Sequence, residues 1–132
     1  MRDYQPRQKN KYRLPIPVYH QTVWLIRDYD RICSELNDIL LASPDPPDGQ
    51  PHGTNLSDEA FAKAKRRDQL VDKKNAIDNA LARVPDDYRK GVWDNVQLRK
   101  SFPKDADRTT YARHKSAFIL DVAISMNFIE KK

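Results

Sequence analysis

The stretch Arg108-Thr-Thr-Tyr-Ala-Arg-His-Lys-Ser116 is the densest run of side chains able to bond an ordered partner. On a helix, at about 100° per residue, Tyr111 and Phe118 share one direction. Thr109, Arg113 and Ser116 then point the opposite way, with Thr110 and Ala112 on the flanks. An arginine fork can bond both acceptors of a guanine edge, and a threonine can meet a phosphate or a thymine methyl. Arg108, Thr109, Thr110, Arg113 and Ser116 are therefore the candidate base-reading face. Residues 99–115 carry six Lys or Arg against two Asp. Arg89, Lys90, Arg99, Lys100, Lys104 and Lys115 are candidate phosphate contacts, which set register without reading sequence. A capped amphipathic helix with a solvated polar face would carry the same pattern. Residue chemistry alone leaves both readings open.

Other chemistry finds no support in the spacing. There is no glycine loop to cradle a phosphate, no paired-cysteine site and no His-Glu-x-x-His run. His20, His52 and His114 stand apart from one another and from other ligands. No catalytic, metal-binding or cofactor-binding residue is expected, and the chain is read as non-enzymatic. The single cysteine, Cys33, lies among apolar positions and reads as a small buried hydrophobe.

The elements that must hold the 108–116 segment are legible from periodicity. Only 3 glycines and 33% charged residues argue against a sandwich or barrel and for an all-α fold. Val18, Leu25, Ile32 and Ile39 repeat every seven residues, with Tyr29 and Leu36 between them. Ile26, Cys33 and Leu40 form a second stripe. This predicts one long helix over 18–41, with a face wide enough for more than one neighbour. Trp24 falls off that face, as an anchor for a partner or as a core residue. Residues 43–53, with their prolines and glycines, form a surface connection. A second long helix follows over 57–84, capped by Ser57, with Leu70, Ile77 and Val84 repeating every seven. Its first half, around Lys63, Lys65, Arg66 and Arg67, is basic and poorly anchored. The two long helices are expected to fold back as an antiparallel hairpin.

Pro85 ends that segment and opens a helix from Asp86 to about Arg99, with Tyr88, Val92 and Val96 on one face. Gly91 in its middle weakens it by about 1 kcal/mol relative to alanine and can admit a close neighbour. After a break at 100–107, a last helix capped by Asp107 or Thr109 runs to about Phe128. Its stripe is Tyr111, Phe118 and Val122, continued by Ile119, Met126 and Ile129. The chain thus divides into an arm (1–17), a two-helix hairpin (18–84) and a C-terminal unit (85–132).

The net charge of +5 is unevenly spread. The arm holds Arg2, Arg7, Lys9, Lys11 and Arg13, and Pro6, Pro15 and Pro17 keep it extended. Uneven positive charge favours a polyanionic partner. With no membrane-length apolar run and no signal-peptide core, the expected setting is an intracellular, reducing compartment. The width of the 18–41 face, or Trp24, predicts a homodimer.

The order of these segments carries a resemblance. Ser43-Pro44, Ile77-Asp-Asn-Ala-Leu-Ala-Arg-Val-Pro85, Tyr88-Arg-Lys-Gly-Val-Trp93-Asp-Asn and Arg108-Thr-Thr-Tyr-Ala-Arg-His-Lys115 follow one another before the closing stretch from Phe118 to Ile129. Over most of residues 18–130 the chain resembles phage-encoded regulators of the RinA/ArpU-like type. Their C-terminal half is similar to the helix-turn-helix of the fourth sigma-factor region. The resemblance implies a transcription regulator in the cytoplasm of a bacterial host, binding double-stranded DNA. Its recognition-helix positions fall on Arg108, Thr109, Tyr111, Arg113 and Lys115, of which Tyr111 is expected to pack rather than contact. The motif also requires a short preceding helix, for which only a single turn, Pro103 to Ala106, is at hand. The alternative is a protein-binding module on the same scaffold, such as an inhibitor or adaptor of a host nucleic-acid-binding or defence factor.

Overall fold

The chain enters its first helix through two prolines. Pro15 precedes α1 (Ile16–Arg27) and Pro17 lies in its first turn. Proline is tolerated there because the N–H it lacks would have no partner inside the helix. The expected arm therefore ends earlier than residue 17, and Leu14 is already part of the core at 2% exposure. The structure, a computed structural model, describes residues 12–41 and 58–130. Arg2, Arg7, Lys9 and Lys11, the 43–53 connection with His52, and the Ser57 cap lie outside the described residues.

The helix expected over 18–41 is two helices. α1 stops at Arg27, Asp28 forms a turn, and α2 covers Tyr29–Leu41. Two sets of bonds draw the halves to different neighbours. Arg27 Nε donates to the Val96 carbonyl at 2.9 Å, close to the end of α4 (Asp86–Leu98). Tyr29 Oη donates to the Asp78 carboxylate at 2.7 Å on α3 (Asp58–Ala82). The break also resets the helical phase. The buried residues of α1 are Tyr19, Thr22, Val23 and Ile26, not the Val18–Leu25 stripe, which is half-buried. Trp24 is not core: it is 64% exposed.

α2, rather than the whole 18–41 stretch, lies along α3. Tyr29 meets Asp78 and Glu35 meets Arg66 at 3.1 Å, so the two helices run antiparallel. α3 is buried through Leu70, Ala76, Ile77 and Ala80, while every residue from Phe61 to Gln69 is exposed. Arg89 closes its C-terminal end by donating to the carbonyls of Leu81, Ala82 and Val84 at 2.9–3.1 Å. A helix end leaves its last carbonyls without the usual i+4 partner, and of these three the Leu81 carbonyl also accepts the Val84 N–H at 3.1 Å.

α4 follows Pro85, and α5 (Arg108–Ser125) follows Asp107 at the N-cap position. α5 buries Tyr111, Phe118, Ile119, Val122 and Ala123, as its periodicity predicts. It ends in a Schellman motif: Asn127 is left-handed (φ 61°) and the Phe128 N–H reaches the Ala123 carbonyl at 2.9 Å. One apolar core joins Leu14, α1, the second half of α3, α4 and α5. The division expected at Pro85 does not separate two cores. The architecture is all-α, and no described helix is long and apolar enough to cross a membrane.

Candidate nucleic-acid interface

Tyr111 fixes the start of α5. Its ring lies against Gly91 of α4 so closely that a Cβ there would stand 2.6 Å from Tyr111 Cε1 and 2.9 Å from Pro103 Cδ. Phe102 stacks on the same ring (centroids 5.3 Å, 15°) and Tyr88 meets it edge-on at 5.3 Å. The phenol donates to Asp105 at 2.6 Å, which raises its pKa to about 12, burial adding to the effect. Tyr111, which helical geometry expects to pack, does pack.

The same ring holds the 99–107 connection. Arg99 takes the left-handed conformation (φ 59°), and the Lys100 N–H reaches back to the Asp94 carbonyl at 3.1 Å. Asn95 Nδ2 donates to the Lys100 carbonyl at 2.7 Å. Residues 104–106 make a turn and a bend, so the single helical turn expected from Pro103 to Ala106 is not formed. The bonds to Asn95 and Tyr111 hold this segment as a loop. α4 and α5 are consequently joined by residues 99–107, longer than the turn of about three or four residues in a helix-turn-helix.

On the outer face of α5, Arg108, Thr109, Ala112 and Arg113 are exposed and Thr110 is half-buried. Ser116 is half-buried as well, and its hydroxyl donates to the Ala112 carbonyl at 2.9 Å, within the helix. His114 stacks on Tyr88 (centroids 4.7 Å, 22°). Its pKa is lowered, mainly by burial and then by the charge of Arg113.

The candidate phosphate contacts separate into three kinds. Arg99, Lys100 and Lys104 are exposed on the connection that leads into Arg108. Lys90 is exposed and loosely faces Asp94 at 3.7 Å. Lys115 is half-buried and engaged within the chain, and Arg89 is tied to the end of α3 and to Asp86 at 2.7 Å. Arg89 is thus a helix-capping residue. Its partners lie five to eight positions earlier in sequence, a pairing that composition does not reveal. Asp105 and Asp107 share this end of the molecule, but six Lys or Arg over 99–115 outweigh them.

A second surface lies toward the other end of α5. Trp24 stands over an open groove with Pro17, His20, Leu25, Met126 and Phe128, rimmed by Lys73. His20 tilts toward its ring at 5.9 Å. Sequence periodicity places Trp24 off the main stripe but does not predict the groove, which needs the chain to return after α5. Among the described residues, no group of three or more His, Cys, Asp or Glu could hold a metal ion. Cys33 is a free, partly buried thiol. No protein-family model, curated protein or solved structure matches the chain.

Proposed function

We propose that the protein is a DNA-binding regulator of the phage type, reading duplex DNA with the first two turns of α5. The observation that carries this reading is the contrast across that helix. Tyr111 on one side is locked among Gly91, Pro103, Phe102 and Asp105. Arg108 and Arg113, on exposed positions, enter no ion pair among the described residues. A rigid helix that presents unpaired arginines is what bidentate recognition of guanine requires. Arg99, Lys100 and Lys104 flank it and would bond phosphates, with Lys90 behind them. In this reading α4 is the supporting helix and the 99–107 loop replaces the short turn of the motif. The RinA/ArpU-like resemblance and the cytoplasm of a bacterial host belong to the same proposal.

The test is fluorescence anisotropy with short duplexes at low and at moderate salt. Binding that weakens steeply with salt and is abolished in Arg108→Glu/Arg113→Glu is the expected outcome. No binding at low salt, or unchanged affinity in the double variant, would overturn the proposal.

A second reading, a module that docks on a host protein, is favoured by Trp24. A tryptophan left 64% exposed beside an apolar groove has the character of an interface anchor. It would also serve a homodimer. Nucleic-acid-free protein that retains one host polypeptide, and loses it in Trp24→Ala, is the outcome that would favour docking.

A further inference from the structure

The groove beside Trp24 has a fixed floor. It lies where α1, Lys73 of α3 and the chain leaving α5 meet. Leu25, Met126 and Phe128 are half-buried and packed against the core. The Schellman motif at Asn127, with the Phe128 N–H on the Ala123 carbonyl, fixes the last two of them. Its volume of about 1150 Å³ exceeds the roughly 300–1,000 Å³ in which proteins enclose small ligands, and it is open to solvent. Such a shape suits a segment of chain laid across it better than a small molecule enclosed in it.

Charge narrows the occupant. Arg27, Asp28 and Lys73 are the Lys, Arg, Asp or Glu residues that line the groove. Both carboxylate oxygens of Asp28 accept from the Arg31 guanidinium, so this acid is already matched. Arg27 is bonded to the Val96 carbonyl. Lys73 is half-buried and enters no ion pair among the described residues. Its own helix supplies no counter-charge, because the residues one turn away are Gln69, Leu70, Ala76 and Ile77. Lys74, by contrast, finds Asp78 one turn on at 2.6 Å. The groove thus sets an unmatched cation beside an exposed aromatic ring, which is complementary to a carboxylate carried next to an apolar side chain.

Other occupants fit less well. The chain's own first eleven residues carry Arg2, Arg7, Lys9 and Lys11 against Asp3, like charge to Lys73. A second copy on a two-fold axis would bring the same groove residues, whose one acid Arg31 already holds. A nucleic-acid strand stacked on Trp24 needs a row of cations along its backbone, not a single lysine.

We propose that the groove binds a short segment of a partner protein, with an apolar side chain on Trp24 and Phe128 and an Asp or Glu on Lys73. This rests on the docking reading, to which it gives a partner chemistry, and is independent of the DNA reading. At about 1.5 Å per residue, Met126 stands about 27 Å along α5 from Arg108, so both surfaces can be used at once.

The test is selection from a displayed random-peptide library on the full chain, followed by affinity measurements with the enriched peptides. These should combine an apolar residue with Asp or Glu. Trp24→Ala and Lys73→Gln should each weaken them by more than about tenfold with helical circular dichroism unchanged. Lys73→Glu should lose the same peptides and gain versions in which Lys replaces the acid, a reversal that misfolding cannot imitate. Peptides that need Trp24 but carry no acid would overturn the proposal and leave the docking reading standing. A selection that yields no Trp24-dependent peptide would overturn both. Single-stranded oligonucleotides that quench Trp24, or a double-mass species lost in Trp24→Ala, would give the groove to nucleic acid or to a second copy and overturn the proposal.

Discussion

Gly91 in the middle of α4 and Tyr111 in the first turn of α5 approach so closely that no side chain fits between them. A Cβ on the glycine would meet the ring at 2.6 Å, with Pro103 at 2.9 Å behind it. The ring cannot swing away freely, because Phe102 stacks on it and its hydroxyl is held by Asp105. Alanine is the better helix former by about 1 kcal/mol, and forced overpacking costs about 1–3 kcal/mol. The collision should win. Gly91→Ala is expected to lose up to about 2 kcal/mol in urea unfolding, and greater stability would show that the contact yields.

This contact also marks what the sequence reveals and what it hides. The weak helix former in α4 signals a close neighbour, but nothing in the chain names Tyr111 as that neighbour. The buried side of α5 and the starts at Pro85 and Asp107 are legible because periodicity and capping are local. The break at Asp28 is not. Val18, Leu25, Ile32 and Ile39 keep one heptad phase across it, with no glycine or proline to interrupt. Its cause is tertiary: Arg27 is bonded to α4 and Tyr29 to α3. The wide apolar face of 18–41 divides accordingly, α1 serving the core and α2 the hairpin.

Arg89 shows the same limit for the candidate site. Its fork reaches three carbonyls at the end of α3, bonds that a cation forms with about 1.5–3 kcal/mol of stabilisation each at most. Arg89→Ala should therefore destabilise the fold by about 2 kcal/mol. Lysine lacks the planar fork and should recover little of it. The variant's DNA affinity, measured well below its melting temperature, should show an unchanged salt dependence. A shallower salt dependence would return Arg89 to the phosphate contacts.

His114 gives the fold a dependence on pH. Burial against Tyr88, and the charge of Arg113, hold its folded pKa below the ordinary value of 6.5. The unfolded chain then binds a proton more readily than the folded one, so stability is full above about pH 6.5 and declines as pH falls toward the folded pKa. His114→Phe keeps a ring on Tyr88 and removes the titration. Between pH 7.5 and 5.5 the natural protein should lose stability relative to the variant. Parallel melting curves would show that burial does not hold the imidazole neutral.

The last prediction separates reading from holding within the proposed interface. Arg113, on the outer face of α5, would bond a base edge, while Lys104, exposed on the 99–107 connection, would bond only phosphate. Removing a bidentate base contact costs about 1–3 kcal/mol at one position of the site and little on unrelated DNA. Removing a phosphate contact weakens all sequences alike and lowers the salt slope by about 1. Arg113→Ala should thus relax specificity selected from a random duplex pool, and Lys104→Ala should preserve the selected sequence while flattening the salt dependence. The two effects must fall on different variants. If Arg113→Ala changes only the salt slope, α5 lies along the backbone rather than in the groove, and the arginine is a phosphate contact.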